Sequence, residues 1–390
     1  MWRRPVHHLD GNITSEHVHW TELFYDLIHV VAIFLLGNYL SDNLDLEGFL
    51  VFSGIFLTLW FAWGELSIYN SIYVSTDAWH RVIMSAMVCT VMLMAAATPK
   101  VAEGGWTFFA IGFALNRCML AFLYWRANGS LPSEDLLCRT QTRNFFALAS
   151  IFALSAVLPT PLAYWVFAAG VLVTQALYAI PRLSVIRLAR FAPRFGHISE
   201  RFALLTLIVL GEGFFKLVIT LADLGIGTVT SDVLGNFLMG GVALFVMCWI
   251  YFEFVGDGKP RDMGLPTMLK IWIGHFLLML CALMVGVALS GQLKVGFWKP
   301  FPTEYATLGC LGLAGFIAMI WVLETSMCHK SAHDFVRSGY RIFGIFVALL
   351  AFASMPHVAT LVGNLAWGLA LISQIVLPLC RANRQQVDHD

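Results

Sequence analysis

Several ionisable residues of this sequence lie inside long apolar runs, where a charged side chain is unfavourable unless it has a partner or a function. Glu22, Asp26 and His29 stand at positions i, i+4 and i+7, a spacing that puts them on one face of a helix. A charged side chain at the centre of a bilayer costs about 2.5–3.5 kcal/mol on insertion scales, so such residues require partners, water or a function. The other members of this set are Glu65, Arg117, Glu212, Lys216, Glu253, His275 and Glu324.

Asp26 and Glu65 are both candidate partners for Arg117. Counting inward from the ends of the apolar runs puts Arg117 near the middle of its run and both acids nearer the N-terminal side of the membrane. An ion pair would neutralise the arginine and could hold helices in register without any transport role, with Asp26 as the first candidate. Binding of a proton, a cation or an anionic substrate by these residues is the alternative, and both interpretations stay open.

Glu22 and Glu200 have a simpler explanation, which is helix capping. Each follows a good N-cap residue, Thr21 in one case and Ser199 in the other. An acid in the first turn also complements the helix dipole. Capping is therefore the favoured role for both acids, and ion binding is the alternative.

The segment from Leu210 to Lys216 combines an acid, a base and two glycines. Glu212 and Lys216 are spaced i, i+4 with the acid first, the favourable order for a pair within one helix. Gly211 and Gly213 flank the acid and permit either close helix packing or a local break that opens the backbone to a ligand. A self-neutralised pair and a protonatable or ligand-binding Glu212 are the two hypotheses.

Metal and cofactor signals are weak in this sequence. His29 and His275 are expected at similar depths and could ligate a haem, but their spacing does not require it. The eight cysteines form no C-x-x-C pair, and no H-E-x-x-H motif is present. We therefore predict neither a cofactor nor a metal, and His275 remains a candidate binding residue.

The elements that position these residues are membrane-spanning helices. The chain is 59% apolar and only 12% charged, whereas soluble domains carry about 25% charged residues, so lipid is the solvent for most of its surface. We predict an all-α bundle of about twelve transmembrane helices. The predicted spans are 20–40, 48–70, 79–99, 105–126, 142–159, 161–181, 199–222, 233–256, 268–290, 305–327, 339–355 and 357–379.

The positions of the basic residues predict the orientation. Of the 24 Lys and Arg, three (Lys100, Lys294 and Lys299) fall in odd-numbered connections and two (Arg117 and Lys216) lie inside spans. The other 19 lie on the side shared by the N-terminus and the even-numbered connections. Because cytoplasmic loops carry the excess of Lys and Arg, both termini are predicted to be cytoplasmic, with the protein in the cell membrane.

The two halves of the chain resemble each other. His19–Phe24 opens the first predicted span and His197–Phe202 opens the seventh, both with the pattern H-x-[ST]-E-x-F. His80 and His275 recur at a larger offset, as do Pro159 and Pro356. We therefore expect two six-helix repeats in one integral membrane domain, residues 1–190 and 191–390. Six is even, so the repeats would be parallel, related by an axis along the membrane normal.

Two motifs resemble a known family. Trp20–Leu27 is similar to the W-x-E-L-F-[FY]-D-L signature of the bacterial low-temperature-requirement protein A (LtrA) family, and His197–Glu212 is similar to its H-x-x-E-R-F…I-V-L-G-E segment. The resemblance covers nearly the whole chain and implies a multi-pass membrane protein. The family name reports a growth phenotype and so a role in stress response, and it supplies no substrate. The signature positions carried over to this chain are Glu22, Asp26, Glu200, Arg201, Gly211 and Glu212.

Three classes of function compete. A secondary transporter or permease is favoured by the expected repeat, by the deep acid beside glycines and by the lack of a G-x-x-x-x-G-K-[ST] motif. A membrane-embedded enzyme acting on a lipid-soluble substrate is disfavoured because no nucleophile–base pair appears. A structural or sensory protein is the third. The expected partners are the lipid bilayer and a small molecule or ion of unknown identity, a homo-oligomer is left open, and the even charge balance argues against nucleic acid.

Overall fold

Twelve α-helices make up most of the part of the chain that the structure describes. The computed structural model of the chain describes residues 4–10, 18–75, 77–128, 132–188, 190–256, 258–262, 264–328 and 334–387. The predicted all-α fold is confirmed over these residues. In chain order, helices α1 to α12 are Trp20–Asp42, Leu46–Ile72, Ala78–Ala97, Trp106–Ala127, Pro132–Val157, Leu162–Ala179, Phe195–Leu224, Ser231–Tyr251, Leu265–Leu293, Thr303–Ser326, Asp334–Ser354 and Thr360–Val387.

Ten of these helices are long and apolar enough to cross a membrane, and α5 and α11 are the exceptions among the described residues. The apolar part of α11, Gly339–Ser354, is shorter. α5 begins at Pro132, ten residues before the predicted start at 142, and its first half carries Arg139 and Arg143. Hydropathy detects only the apolar second half of such a helix, which is why the predicted start was wrong.

Two pairs of consecutive helices, α5–α6 and α11–α12, are joined by short connections that contain proline. α5 ends at Val157 and α6 begins at Leu162, with Pro159 and Pro161 in the connection. α11 ends at Ser354, a short 3-10 turn follows at Met355–His357, and α12 begins at Thr360. Proline has no amide hydrogen, so it ends one helix and is tolerated at the start of the next.

The helices group into two compact units. The first comprises Met1–Tyr39, Leu50–Arg201 and Gly264–Pro266, and the second comprises Leu40–Phe49, Phe202–Met263 and Thr267–Asp390. The first unit thus holds α3 to α6 with most of α1 and α2, and the second holds α8 and α10 to α12 with most of α7 and α9. The six-helix repeat and the division near residue 190 stay predictions.

Within each unit, a short antiparallel strand pair joins segments that the topology prediction puts on the same side of the membrane, namely the N-terminus and the even-numbered connections. In the first unit, β1 (Val6–His7) pairs antiparallel with β2 (Tyr73–Val74), which joins the N-terminal segment to the α2–α3 connection. In the second, β3 (Lys259–Pro260) pairs with β4 (Met327–Cys328), which joins the α8–α9 and α10–α11 connections. This is the alternation that the topology prediction requires, and the assignment of that end to the cytoplasm stays a prediction.

A histidine fastens the N-terminal segment to the α6–α7 connection. His7 Nε2 donates to the Arg190 carbonyl at 3.0 Å, while its Nδ1 accepts from the Leu9 amide at 3.3 Å. Burial lowers the pKa of His7, so the neutral ring that this pair of bonds needs is the stable form near pH 7.

Candidate functional site

Three arginines are among the largest fully buried side chains: Arg117, Arg201 and Arg341. The sequence put Arg117 near the middle of a span and counted Arg201 and Arg341, at the starts of two other spans, with the basic residues on the side of the N-terminus. The structure buries all three: Arg201 lies on α7 and Arg341 on α11, each with no exposed surface. A buried guanidinium needs an acid and further acceptors, and each of the three has them.

The Arg201 cluster, in the first unit, comprises Arg201, Asp26, Glu22, His197, Trp63 and Ser67. Arg201 and Asp26 form a bidentate ion pair, in which Nη1 donates to Oδ2 at 3.0 Å and Nη2 lies 2.9 Å from Oδ1. Ser67 Oγ accepts from Arg201 Nη2 at 3.0 Å, and Trp63 Nε1 donates to Asp26 Oδ1 at 2.8 Å. Such a bidentate pair fixes the orientation of both side chains.

The outer end of this cluster is built around Glu22. His197 Nε2 lies 3.3 Å from Glu22 Oε1, and Arg201 Nη1 lies 3.8 Å from Glu22 Oε2. Glu22 is only 5% exposed. The acid is therefore part of a buried ionic network, a larger role than helix capping alone.

The spacing of these residues explains why three helices meet here. Glu22 and Asp26 on α1 are i, i+4, and so are His197 and Arg201 on α7. Each helix therefore presents two residues on one face, acids from one and bases from the other. Trp63 and Ser67 have the same spacing on α2 and complete the set. The sequence contained this complementarity, although we interpreted the two motifs as copies of a repeat rather than as partners.

The predicted N-caps were wrong. α1 begins at Trp20, so His19 occupies the cap position, and Thr21 lies inside the helix with its hydroxyl 2.9 Å from His19 Nδ1. Ser199 lies within α7, which begins four residues earlier at Phe195. Glu200 is consequently beyond the first turn, is partly exposed, and makes no ion pair among the described residues.

The predicted ion pair of Arg117 is confirmed, with Glu65 as its partner. Arg117 Nη1 contacts Glu65 Oε2, and Arg117 Nη2 donates to Asn116 Oδ1 at 2.8 Å. The guanidinium also lies over the Phe113 ring, 4.5 Å from its centre. The first-choice partner, Asp26, is taken by Arg201 instead. Both members of the Arg117–Glu65 pair are at most 1% exposed, so the pair is sealed within the first unit.

In the second unit, Glu324 and Arg341 form a comparable buried pair. Arg341 Nη2 lies 3.3 Å from Glu324 Oε2, and Nη1 donates to Gln374 Oε1 at 3.0 Å. The guanidinium stacks over Phe254 at 4.2 Å. Glu324 lies near the C-terminal end of α10, where an acid can reach water, yet it is only 2% exposed. Glu253, by contrast, is exposed.

Glu212 differs from the buried acids above because no arginine or histidine contacts its carboxyl group among the described residues. It lies near the middle of the 30-residue α7, is 2% exposed, and belongs to the second unit. Both of its carboxyl oxygens are buried without a hydrogen-bond partner among the described residues. Lys216, one turn later, donates from Nζ to Ser41 Oγ at 2.7 Å and interacts with Glu212 only electrostatically among the contacts described.

Two glycines bring α9 against the Glu212 carboxyl. A Cβ built on Gly286 of α9 would lie 3.1 Å from Gly213 Cα and 3.8 Å from Glu212 Oε2. A Cβ on Gly213 would lie 2.9 Å from the Leu244 side chain. Gly213 thus serves close packing, whereas Gly211 faces open space. α7 continues without interruption past Glu212, so of the two alternatives left open by the sequence the structure has close packing and no local break there.

Each of the two candidate haem histidines donates from Nδ1 to a backbone carbonyl one turn earlier, and Nε2 of His29 is buried without a hydrogen-bond partner among the described residues. His275 Nδ1 donates to the Ile271 carbonyl at 2.8 Å, its Nε2 lies 3.3 Å from the Tyr251 hydroxyl, and its ring stacks on Phe202 at 4.1 Å. His29 belongs to the first unit and donates from Nδ1 to the Tyr25 carbonyl at 2.9 Å. Among the described residues, no group of three or more His, Cys, Asp or Glu side chains could hold a metal ion.

Comparison with known proteins gives two findings. The family model described as bacterial low temperature requirement A protein matches residues 17–377. An uncharacterised protein of Rhizobium meliloti (strain 1021) is 24% identical over 395 residues, covering 94% of this chain and 93% of the relative. The matched region includes every helix from α1 to α11 and both motifs noted in the sequence.

Proposed function

Since the chain belongs to the bacterial low temperature requirement A family and is built as a multi-pass membrane protein, we propose that it is a secondary transporter or permease. Glu212 is the residue that binds the transported or coupled ion, a proton or a small cation. The substrate is a small molecule or ion, and the energy comes from a gradient, because the sequence contains no G-x-x-x-x-G-K-[ST] nucleotide-binding loop.

One observation carries this proposal: the Glu212 carboxyl is buried in mid-helix with no hydrogen-bond donor on either oxygen among the described residues. An unsolvated carboxylate is costly, so the group is stable only when it holds a proton or a cation. Gain and loss of that ion would change the charge in the middle of α7. Such a change is what couples a gradient to movement in a secondary transporter.

The contacts of the other buried acids support Glu212 as the ion-binding residue. Asp26 accepts bonds from Arg201 and Trp63, and Glu65 is neutralised by Arg117. These acids have protein partners that offset the cost of burying their charge, so ion pairing within the protein accounts for their presence. We therefore assign Asp26, Glu65 and their arginines to holding helices together, and Glu212 to function.

The competing candidate is a structural or sensory protein in which Glu212 and Lys216 merely neutralise each other. Their i, i+4 spacing on α7 and their electrostatic interaction favour it. The two candidates differ in what happens when both charges are removed. A structural pair becomes dispensable once neither charge is left unmatched, whereas an ion site is lost.

The experiment uses growth at low temperature of a strain lacking its own copy of the gene, together with proton flux into proteoliposomes driven by a membrane potential. We expect Glu212→Gln and the double variant Glu212→Gln/Lys216→Gln to fold but to lose both readouts. Glu253→Gln is the matched control, because it neutralises an exposed acid of the same unit, and it should behave as wild type.

Full growth and full flux in the double variant would refute the assignment of Glu212. Growth supported by a wild-type protein that moves no proton and no tested cation would favour the structural or sensory candidate instead.

A further inference from the structure

A groove of about 360 Å³ lies between α8, α9 and α12 of the second unit. This volume falls in the range of about 300–1,000 Å³ typical of ligand sites. The groove extends along α12 from Asn364 to Ile372, about 12 Å at 1.5 Å per residue. Its walls are mostly aliphatic side chains and glycine, together with Met239 and Trp367, and no charged side chain lines it.

The mouth of the groove lies on a surface that faces lipid. Val242 on α8 and Leu365 on α12 line it, and they are 62% and 60% exposed. Both helices are apolar enough to span a membrane. Exposed apolar side chains at this position contact acyl chains rather than water, so the occupant enters from the bilayer.

One end of the groove is polar and incompletely bonded. Asn364 Nδ2 donates to Asn236 Oδ1 at 2.7 Å, and Asn236 Nδ2 donates to the Gln292 carbonyl at 3.0 Å. Gln292 is 1% exposed, and its side-chain nitrogen is buried without a hydrogen-bond partner among the described residues. A buried donor without an acceptor costs about 1–3 kcal/mol, so this amide is suited to a ligand oxygen.

We propose that the groove binds one acyl chain of a membrane glycerolipid, whose ester carbonyl accepts a hydrogen bond from Gln292 Nε2. Gln292 is the penultimate residue of α9, while Asn236 and Asn364 lie in the second turns of α8 and α12. The polar end therefore lies near the helix ends, at the depth where a bilayer places its ester groups. A neutral amide end also fits an uncharged ester better than a phosphate.

Gly368 provides a way to close the groove without disturbing the protein. It lines the groove, and a Cβ built on it meets no atom within 4 Å. A leucine at this position would occupy the space that the acyl chain needs. Gly54 on α2 is the matched control, because it is an exposed helical glycine whose added Cβ also meets no atom within 4 Å.

The test uses full-length protein in phosphatidylethanolamine vesicles containing a trace of phosphatidylethanolamine with a diazirine on its acyl chain. After irradiation, labelled residues are mapped by mass spectrometry. We expect labelling to concentrate on the groove residues of α8 and α12, to fall at least several-fold in Gly368→Leu, and to be unchanged in Gly54→Leu. Equal labelling of all exposed helix faces, unaffected by Gly368→Leu, would overturn the site.

The role of the ester is tested separately with Gln292→Leu. Losing a buried hydrogen bond of about 1.4 kcal/mol corresponds to about tenfold weaker retention of the ester lipid in competition with unlabelled lipid. A diazirine-bearing alkane, which has no carbonyl, should label wild type and Gln292→Leu equally. If the substitution leaves retention of the ester lipid unchanged, the ester assignment is wrong. The melting temperature of each variant in the same vesicles shows whether it remains folded.

Discussion

Removing the charge of Asp26 or of Arg201 alone should destabilise the protein strongly. Removing both charges should cost less than the sum of the two single losses. We consider three variants: Asp26→Asn, Arg201→Gln and the double variant. In Arg201→Gln, the Asp26 carboxylate keeps only the Trp63 indole as a donor. In Asp26→Asn, the guanidinium keeps Ser67 and a more distant Glu22 at 3.8 Å.

The magnitude follows from the burial of both groups. Arg201 has no exposed surface and Asp26 is 2% exposed, so a single substitution leaves an uncompensated buried charge and should cost about 3–5 kcal/mol. The double variant leaves no unmatched charge at this pair, and its amides can bond to Trp63 and Ser67. We therefore expect a coupling free energy on the order of 2 kcal/mol or more, a value within the range measured for interacting neighbours.

The assay measures the unfolding free energy in mixed detergent micelles, with a thiol-reactive dye as the reporter. The thiols of Cys138 and Cys310 are buried, so these two residues react only when the protein opens. Asp10→Asn is the control, because Asp10 pairs with Arg190 at the surface, where side-chain exposures are 43% and 19%. An exposed pair contributes about 0–1 kcal/mol. Coupling below about 0.5 kcal/mol at Asp26 and Arg201 would refute the proposed structural role.

Two further predictions concern packing and topology. Gly286→Val should separate α9 from α7, because its Cβ would lie 3.1 Å from Gly213 Cα; we expect lower thermal stability, while Gly211→Val, at a glycine with open space, should show little change. Cysteine or epitope tags at both termini should be accessible only from the cytoplasm, because 19 basic residues are predicted on that side against three. A tag at either end that is reached from outside intact cells would contradict the predicted orientation.

The fold was readable from the sequence because lipid imposes a simple rule. Backbone polar groups in a bilayer must bond internally, so every long apolar run becomes a helix. α4 illustrates this: it was predicted at 105–126 and is observed at Trp106–Ala127. α5 shows where the rule fails: Arg139 and Arg143 lower the mean hydropathy of its first half, so the sequence does not show that the helix begins at Pro132.

The partners of buried charges were harder to predict than the helices. The sequence identified Asp26 and Arg117 as needing partners, and Arg117 pairs with Glu65, one of its two candidates. It did not identify Arg201 as the partner of Asp26, since arginines at the end of an apolar run are ordinarily assigned to the interface. Local spacing fixes which residues share a helix face, but which faces meet depends on tertiary packing, for which a single sequence offers no direct signal.

Burial alone does not separate a structural acid from a functional one in this protein. Asp26 and Glu212 are both 2% exposed, yet the first accepts three hydrogen bonds and the second accepts none among the described residues. Neutralising Asp26 therefore removes bonds that hold three helices together. Neutralising Glu212 and Lys216 together removes no hydrogen bond to the Glu212 carboxyl, and the bond from Lys216 to Ser41 that it does remove should cost about 2 kcal/mol, so the double variant should remain folded. A protein that retains its fold but loses its activity on this change identifies Glu212 as a group kept for its ion, since packing gives no reason to retain an acid against Gly286.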